Sequence, residues 1–266
     1  MNKQTISLIV FFFIVVAIFV LRPLGQGLAN TLLEQAFYII ASVIAAMSAF
    51  LAFRTYGRGP RFVSLLALSL GLFSWVIADV LFTYLEYILN DLPYPSIADY
   101  FFLAGYILML TGIIREVLLS DVSWKKMNKK VYLVCGTFSV LMITAFTYLT
   151  IFTAYNPEAS FAENFVTIGY TVGDLLLSIA GFFLLIMTWE YRGGKASKVW
   201  IGIFLGYSGT LVGDLLYSIF PEQLFSHTGP IFIFSQFCYI GGYLFLAYGF
   251  LQLRSILLAF QKKPLH

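Results

Sequence analysis

Three aspartates, Asp79, Asp174 and Asp214, stand inside stretches that are otherwise apolar and long enough to cross a bilayer. Each follows a small residue, in Ala78-Asp79, Gly173-Asp174 and Gly213-Asp214. A charged side chain at the bilayer centre costs about 2.5–3.5 kcal/mol or more, so such groups face a bundle interior or a wet cavity and mark functional sites by default. Their chemistry is narrow: a carboxylate holds a cation, takes a proton, or as one of a pair activates water. Helical spacing supplies the neighbours, because positions three, four and seven apart share a face. Asp79 lines up with Trp75, Thr83, Glu86 and Tyr87. Asp174 lines up with Thr167, Tyr170, Thr171 and Ser178, and Asp214 with Tyr207, Thr210, Tyr217 and Ser218. Carboxylates among hydroxyls and aromatic rings suit an organic cation. A structural role, each Asp locking a neighbouring helix through one hydroxyl, would also account for the pattern.

The elements that must carry these residues follow from composition. At 266 residues, 60% hydrophobic and 11% charged, the chain falls outside the range of soluble domains. A crossing needs roughly 20 apolar residues, and eight stretches qualify: Thr5–Leu21, Thr31–Phe53, Phe62–Leu89, Ile97–Leu119, Val131–Phe152, Glu163–Trp189, Val199–Phe220 and Ile231–Leu257. The short loops leave no room for a soluble domain, and alternating strand patterns of about ten residues are missing, which argues against a β-barrel. The expectation is one polytopic domain over residues 1–266, an all-α bundle of eight transmembrane helices in the cell membrane.

Orientation follows from Lys and Arg, which accumulate on the cytoplasmic side. Lys3, Arg54, Arg58, Arg61, Arg115, Lys125, Lys126, Lys129, Lys130, Arg192, Lys195, Lys198, Arg254, Lys262 and Lys263 fall on one side of the eight-helix arrangement, and only Arg22 on the other. Both termini are therefore expected in the cytoplasm. The acids show the complement, with Glu34, Glu86, Asp91, Asp99, Glu158, Glu163 and Glu222 at the outer ends. The net charge of +3 is thus a topology signal and gives no sign of nucleic-acid binding. All three intramembrane aspartates then lie roughly 10–20 Å from the outer helix ends at 1.5 Å per residue, and an outward-opening cavity follows. The alternative for the first stretch is a cleaved secretory signal ending near Gly27-Leu28-Ala29, which would leave seven helices; its apolar run is long for a signal core.

Several chemistries lack their residues. No stretch carries an internal Lys for a retinal Schiff base, and the only histidines, His227 and His266, lie in an outer loop and at the end of the chain. Cys135 and Cys238 read as packing residues, so no disulfide, metal or other cofactor is expected. No Lys, His or Cys constellation suits nucleophilic catalysis, and the expectation is a non-enzyme. The nearest enzymatic alternative is an intramembrane aspartyl protease, but its GxGD signature meets TVGD and LVGD here and no Pro-Ala-Leu element occurs.

A repeat emerges when the aspartate stretches are overlaid. Gly71 to Thr83 and Gly206 to Ser218 both read Gly, six residues, a small residue, Asp, Val or Leu, Leu, an aromatic, then Thr or Ser. The following stretches agree, with Gly105-Tyr106 and Gly112 in the fourth and Gly242-Tyr243 and Gly249 in the eighth. The economical reading is a bundle of helical hairpins in which the third and fourth stretches repeat as the seventh and eighth, with two four-helix halves as one form of it; convergent use of small residues at helix contacts is the alternative. Between the third and fourth stretches, Pro93 and Pro95 favour an extended approach, and Ser96 or Asp99 is placed to cap the next helix. Asp99 would also continue an acidic lining from Glu86 down to Asp79.

The segment Pro93-Tyr94-Pro95-Ser96-Ile97-Ala98-Asp99-Tyr100-Phe101-Phe102-Leu103-Ala104-Gly105-Tyr106, with Trp75 and Asp79 before it and Gly112 after it, resembles the multi-helix membrane sensor regions that precede histidine kinase, PAS or diguanylate cyclase domains in archaeal and bacterial signalling proteins. Those regions show a Trp before a small residue and Asp, then an outer loop reading Pro, any residue, Pro, Ser, two residues, Asp. The likeness runs from Gly71 to Gly112 and is weak elsewhere. Ile107 stands where the family often has Pro, and no output domain follows the eighth stretch, so the resemblance implies a signalling partner on a separate chain. The expectation is a sensor or receptor-like module whose outward pocket, built from Asp79, Asp99, Asp174, Asp214, Glu86, Trp75 and the tyrosines 87, 106, 170, 207, 217 and 243, binds a small cationic ligand. The alternative from another class is a proton- or cation-coupled transporter.

Overall fold

In a computed structural model the described residues are 3–21, 28–91, 93–119, 129–149, 155–192, 195–225 and 229–261. Arg22, Gly27, Lys125, Lys126, His227, Lys262, Lys263 and His266 lie outside the described residues. All regular structure among the described residues is helical: α1 (Lys3–Leu21), α2 (Leu28–Tyr56), α3 (Phe62–Thr83) running into a π turn (Tyr84–Ile88), α4 (Ile97–Leu118), α5 (Lys129–Leu149), α6 (Phe161–Arg192), α7 (Lys195–Ile219), a short α8 (Pro221–Phe225) and α9 (Gly229–Gln261). Among the described residues six helical segments, Leu33–Tyr56, Phe62–Ile88, Ile97–Leu118, Phe161–Ile186, Ala196–Ile219 and Gly229–Gln261, are long and apolar enough to cross a membrane. The chain is an all-α, multi-pass membrane protein in character. Its outer faces carry Leu70, Ile77, Ile107, Ile114, Phe234 and Phe245, all exposed, where lipid tails rather than water are the natural solvent.

Local chemistry sets the helix ends. Gly57, at φ +72°, closes α2 in the left-handed conformation that glycine adopts without strain. Ser160 and Glu163 open α6 reciprocally, the Ser160 N–H donating to Glu163 Oε2 at 2.8 Å and the Glu163 N–H to Ser160 Oγ at 3.2 Å. Pro230 stands at the second position of α9, where its missing N–H costs nothing. Two features depart from expectation. The third stretch does not continue as a regular helix to Leu89 but widens into the π turn, and α8 interrupts the connection after Phe220.

Six helices close a ring, each packed on the next in the order α2, α3, α4, α6, α7, α9 and back to α2. Helix α1 leans on α9, and α5 on α6, outside the ring. Glycines set the two tightest seams. A Cβ on Gly105 would sit 3.0 Å from the Gly71 carbonyl, and a Cβ on Gly242 would sit 2.9 Å from the Gly206 carbonyl. Backbones therefore touch at α3–α4 and at α7–α9, as small residues permit in membrane helices. One end of the ring is basic and tied together: Arg254 donates to Thr55 at 3.3 Å, while Arg61 lies 3.6 Å from the buried Glu116, which also accepts from Ser64 at 2.5 Å. The cavity opens at the other end.

Candidate functional site: an acidic, aromatic cavity

The ring encloses a cavity of about 580 Å³, within the range of small-molecule sites. Each helix of the ring contributes polar side chains: Gln35 and Tyr38 from α2, Asp79 from α3, Asp99 and Tyr106 from α4, Tyr170 and Asp174 from α6, Thr210 and Asp214 from α7, Gln236, Tyr239 and Tyr243 from α9. Asp79, Asp174 and Asp214, which the sequence scattered over three helices, meet at this one space. Pro93, Tyr94 and Ser96 from the α3–α4 connection, with Pro221, form its rim.

Eight aromatic side chains line the cavity in an unbroken series. Phe102 meets Tyr170 at 5.9 Å between ring centroids, Tyr170 meets Tyr106 at 6.1 Å, and Tyr106 meets Trp75 at 5.1 Å. Trp75 continues to Tyr243 at 6.2 Å, Tyr243 to Tyr38 at 5.6 Å, Tyr38 to Tyr239 at 5.9 Å and Tyr239 to Tyr217 at 6.2 Å. Most contacts are edge-on, the arrangement aromatic quadrupoles favour. Trp75 is fixed by its indole N–H, which donates to the Phe102 carbonyl at 3.1 Å.

Hydroxyls hold the carboxyls. Tyr243 donates to Asp79 Oδ2 at 2.9 Å, and Ser42, whose hydroxyl donates to the Ile39 carbonyl, stands beside that carboxyl. On the opposite wall the Tyr106 hydroxyl lies 2.7 Å from Asp174 Oδ1 and 3.3 Å from Asp214 Oδ2, and Tyr239 donates to Asp214 Oδ1. The Asp174 and Asp214 carboxyls are themselves neighbours. Two carboxylates in contact repel unless a shared proton or another positive charge lies between them. At the rim, Asp99 does two tasks: Oδ2 accepts the N–H and hydroxyl of Ser96 at 2.5 and 2.8 Å, opening α4, while Oδ1 accepts from Tyr170 at 2.6 Å. The Tyr94 and Thr167 hydroxyls lie 2.6 Å apart, pinning the α3–α4 connection to α6. Partial burial holds the Tyr94 phenol above its usual range, so it remains a donor at neutral pH.

Two expected site residues are corrected. Glu86 does not line the cavity but sits against Tyr87; the π turn adds a residue, so the eighth position after Asp79, Tyr87, takes the place that a regular helix gives to the seventh. Tyr87 does line it, and accepts from Gln35 at 3.1 Å. Tyr207 also stays out: it is fully buried, about 10 Å along α7 from Asp214 at 1.5 Å per residue, below the Thr210 floor and against Gly181 of α6. Sequence reasoning missed Gln35, Tyr38, Gln236 and Tyr239. Their signal was a stripe of the same kind, Gln35-Tyr38-Ser42 on α2 and Gln236-Tyr239-Tyr243 on α9, on helices without an intramembrane aspartate. No family model, no curated protein and no solved structure matches the chain.

Proposed function

We propose that this cavity binds a small organic cation and that the protein is a receptor-like sensor module. One observation carries the reading: four carboxyls, those of Asp79, Asp99, Asp174 and Asp214, line the cavity with a wall of aromatic rings, and among the described residues none that lines it is Lys, Arg or His. Such a surface attracts positive charge by Coulombic and cation–π interaction together and repels anions. A thermal-shift screen of the purified protein against matched small cations, neutral isosteres and anions tests it. Cations alone should stabilise, and Asp214→Asn should remove the effect.

The reading includes eight crossings in the cell membrane with both termini cytoplasmic. Its support is the charge pattern, with Arg54, Arg61, Arg115 and Arg254 at the closed end of the ring and Asp91, Asp99, Glu158, Glu163 and Glu222 at the open end. On that topology the cavity faces outward. The resemblance to signalling-protein sensor regions covers Gly71 to Gly112, the stretch that forms one wall, the rim and the Trp75 contact. A ligand pressing on those elements would shift helix packing at the cytoplasmic end, where a separate signalling protein would read it.

An internal repeat belongs to the same proposal, and contacts support it at equivalent positions. Gly71 meets Gly105 and Met109, as Gly206 meets Gly242 and Leu246; Gly112 meets Ser64 and Leu68, as Gly249 meets Val199 and Ile203. The Asp–Tyr bonds cross between halves, Asp79 with Tyr243 and Asp174 with Tyr106. That crossing favours one second reading, a cation-coupled carrier, because parallel repeats that rock against each other around a shared site are a transporter design. Uptake of a bound cation into proteoliposomes separates the two.

A further inference from the structure

If the cavity is a cation site, one buried oxygen restricts the kind of cation. Asp174 is 1% exposed, and its two oxygens differ. Oδ1 accepts from Tyr106 at 2.7 Å, whereas Oδ2 is buried and accepts no hydrogen bond. The neighbouring hydroxyls aim their protons elsewhere: that of Thr210, although within reach of the Asp174 carboxyl, donates to the Tyr207 carbonyl at 2.9 Å, and the single phenolic proton of Tyr106 is directed at Oδ1. Asp214, alongside, is hydrogen-bonded to Asp174, a bond that one carboxyl donates only while it holds a proton. A buried acceptor left unmatched costs roughly 1–3 kcal/mol, more when charged, so once ionised the two carboxyls need N–H or O–H groups with positive charge, and a bound cation supplies them in place of the shared proton.

The opposite wall is a natural control. There Ser42 stands beside Asp79 where the proposed repeat places Asp174 in the other half; its hydroxyl donates to the Ile39 carbonyl at 3.0 Å, and Tyr243 donates to the Asp79 carboxyl. The second acid is thus an addition peculiar to one wall. Among the described residues no three or more His, Cys, Asp or Glu stand together as a metal cluster.

We propose that Asp174 and Asp214 form the subsite for a protonated primary or secondary amine. Its N–H groups donate to Asp174 Oδ2 and across to Asp214 Oδ2, and its carbon skeleton lies on the Tyr106 and Trp75 rings. This inference rests on the cation reading and narrows it. A quaternary ammonium satisfies the charge and the aromatic faces but brings no N–H, leaving Oδ2 unmatched; a site built to hydrogen-bond a ligand rejects the analogue that lacks the donor.

Three probes of matched shape test it on the purified full chain: 2-phenylethylammonium, its N,N,N-trimethyl analogue and 2-phenylethanol, each titrated by calorimetry. The primary ammonium should bind about tenfold tighter or more than the trimethyl form, with the alcohol weakest. Asp174→Asn should bring the two cations to parity, and Asp174→Ser, which copies the residue at position 42, gives a second variant should the first not fold. Equal or tighter binding of the trimethyl form to the native chain, or discrimination that persists in both variants, overturns the amine subsite and leaves the cation site standing. An alcohol that binds as well as both cations, or failure of both cations to bind, overturns the cation reading itself.

Discussion

Tyr243 donates to Asp79 at 2.9 Å although the two residues lie 164 positions apart. The matching bond runs the other way, from Tyr106 of the first part of the chain to Asp174 of the second, at 2.7 Å. Both bonds sit in the cavity wall, so the contacts that tie the proposed halves together are the contacts a ligand must meet. Binding chemistry and helix packing are coupled at these four side chains.

The coupling has a measurable size. Double-mutant cycles with Tyr243→Phe and Asp79→Asn should return about 0.6–1.7 kcal/mol, the range for interhelical hydrogen bonds in membranes, read as unfolding free energy in mixed micelles. Tyr106→Phe with Asp174→Asn should behave alike. Additive effects at both pairs would mean that neither bond ties the halves.

The seams give a stability prediction that is independent of ligand. A Cβ on Gly202 would fall 2.7 Å from the Gly249 nitrogen and 2.8 Å from the Phe245 carbonyl, both backbone atoms with no room to move. Gly202→Ala should cost about 1–3 kcal/mol by overpacking and lower the melting temperature. Gly136→Ala, where nothing lies within 4 Å, should be neutral or slightly stabilising.

Much of this site was legible because burying a carboxylate in hydrocarbon is costly: Asp79, Asp174 and Asp214 announce an interior in any apolar stretch. Tyr38 and Tyr239 carry no such penalty, since a phenol in a membrane helix serves packing as readily as recognition, and only assembly of the ring shows them at the cavity. Glu86 was misplaced because the spacing rule assumes 3.6 residues per turn, and the π turn breaks that assumption within a single turn of the mouth. Tyr207 was misplaced because spacing gives a face but not where a cavity ends along it. Helix positions followed from apolar run length alone, but the closed order of six helices needed the contacts between them.

Topology is tested by labelling. With a membrane-impermeant maleimide applied to intact cells, Tyr94→Cys at the cavity rim should label and Arg58→Cys should not, in a background lacking Cys135 and Cys238. The reverse pattern would turn the cavity inward and remove the receptor reading.

The most direct measurement of the central claim uses Trp75, which stands in the cavity wall between Tyr106 and Tyr243. With the other three tryptophans, Trp124, Trp189 and Trp200, replaced by Phe, fluorescence comes from the site alone. Titration with small organic cations should give a saturable change in Trp75 emission that neutral isosteres do not produce and that Asp214→Asn abolishes. Emission that ignores every cation, or that responds equally to the neutral compounds and survives Asp214→Asn, would contradict the account.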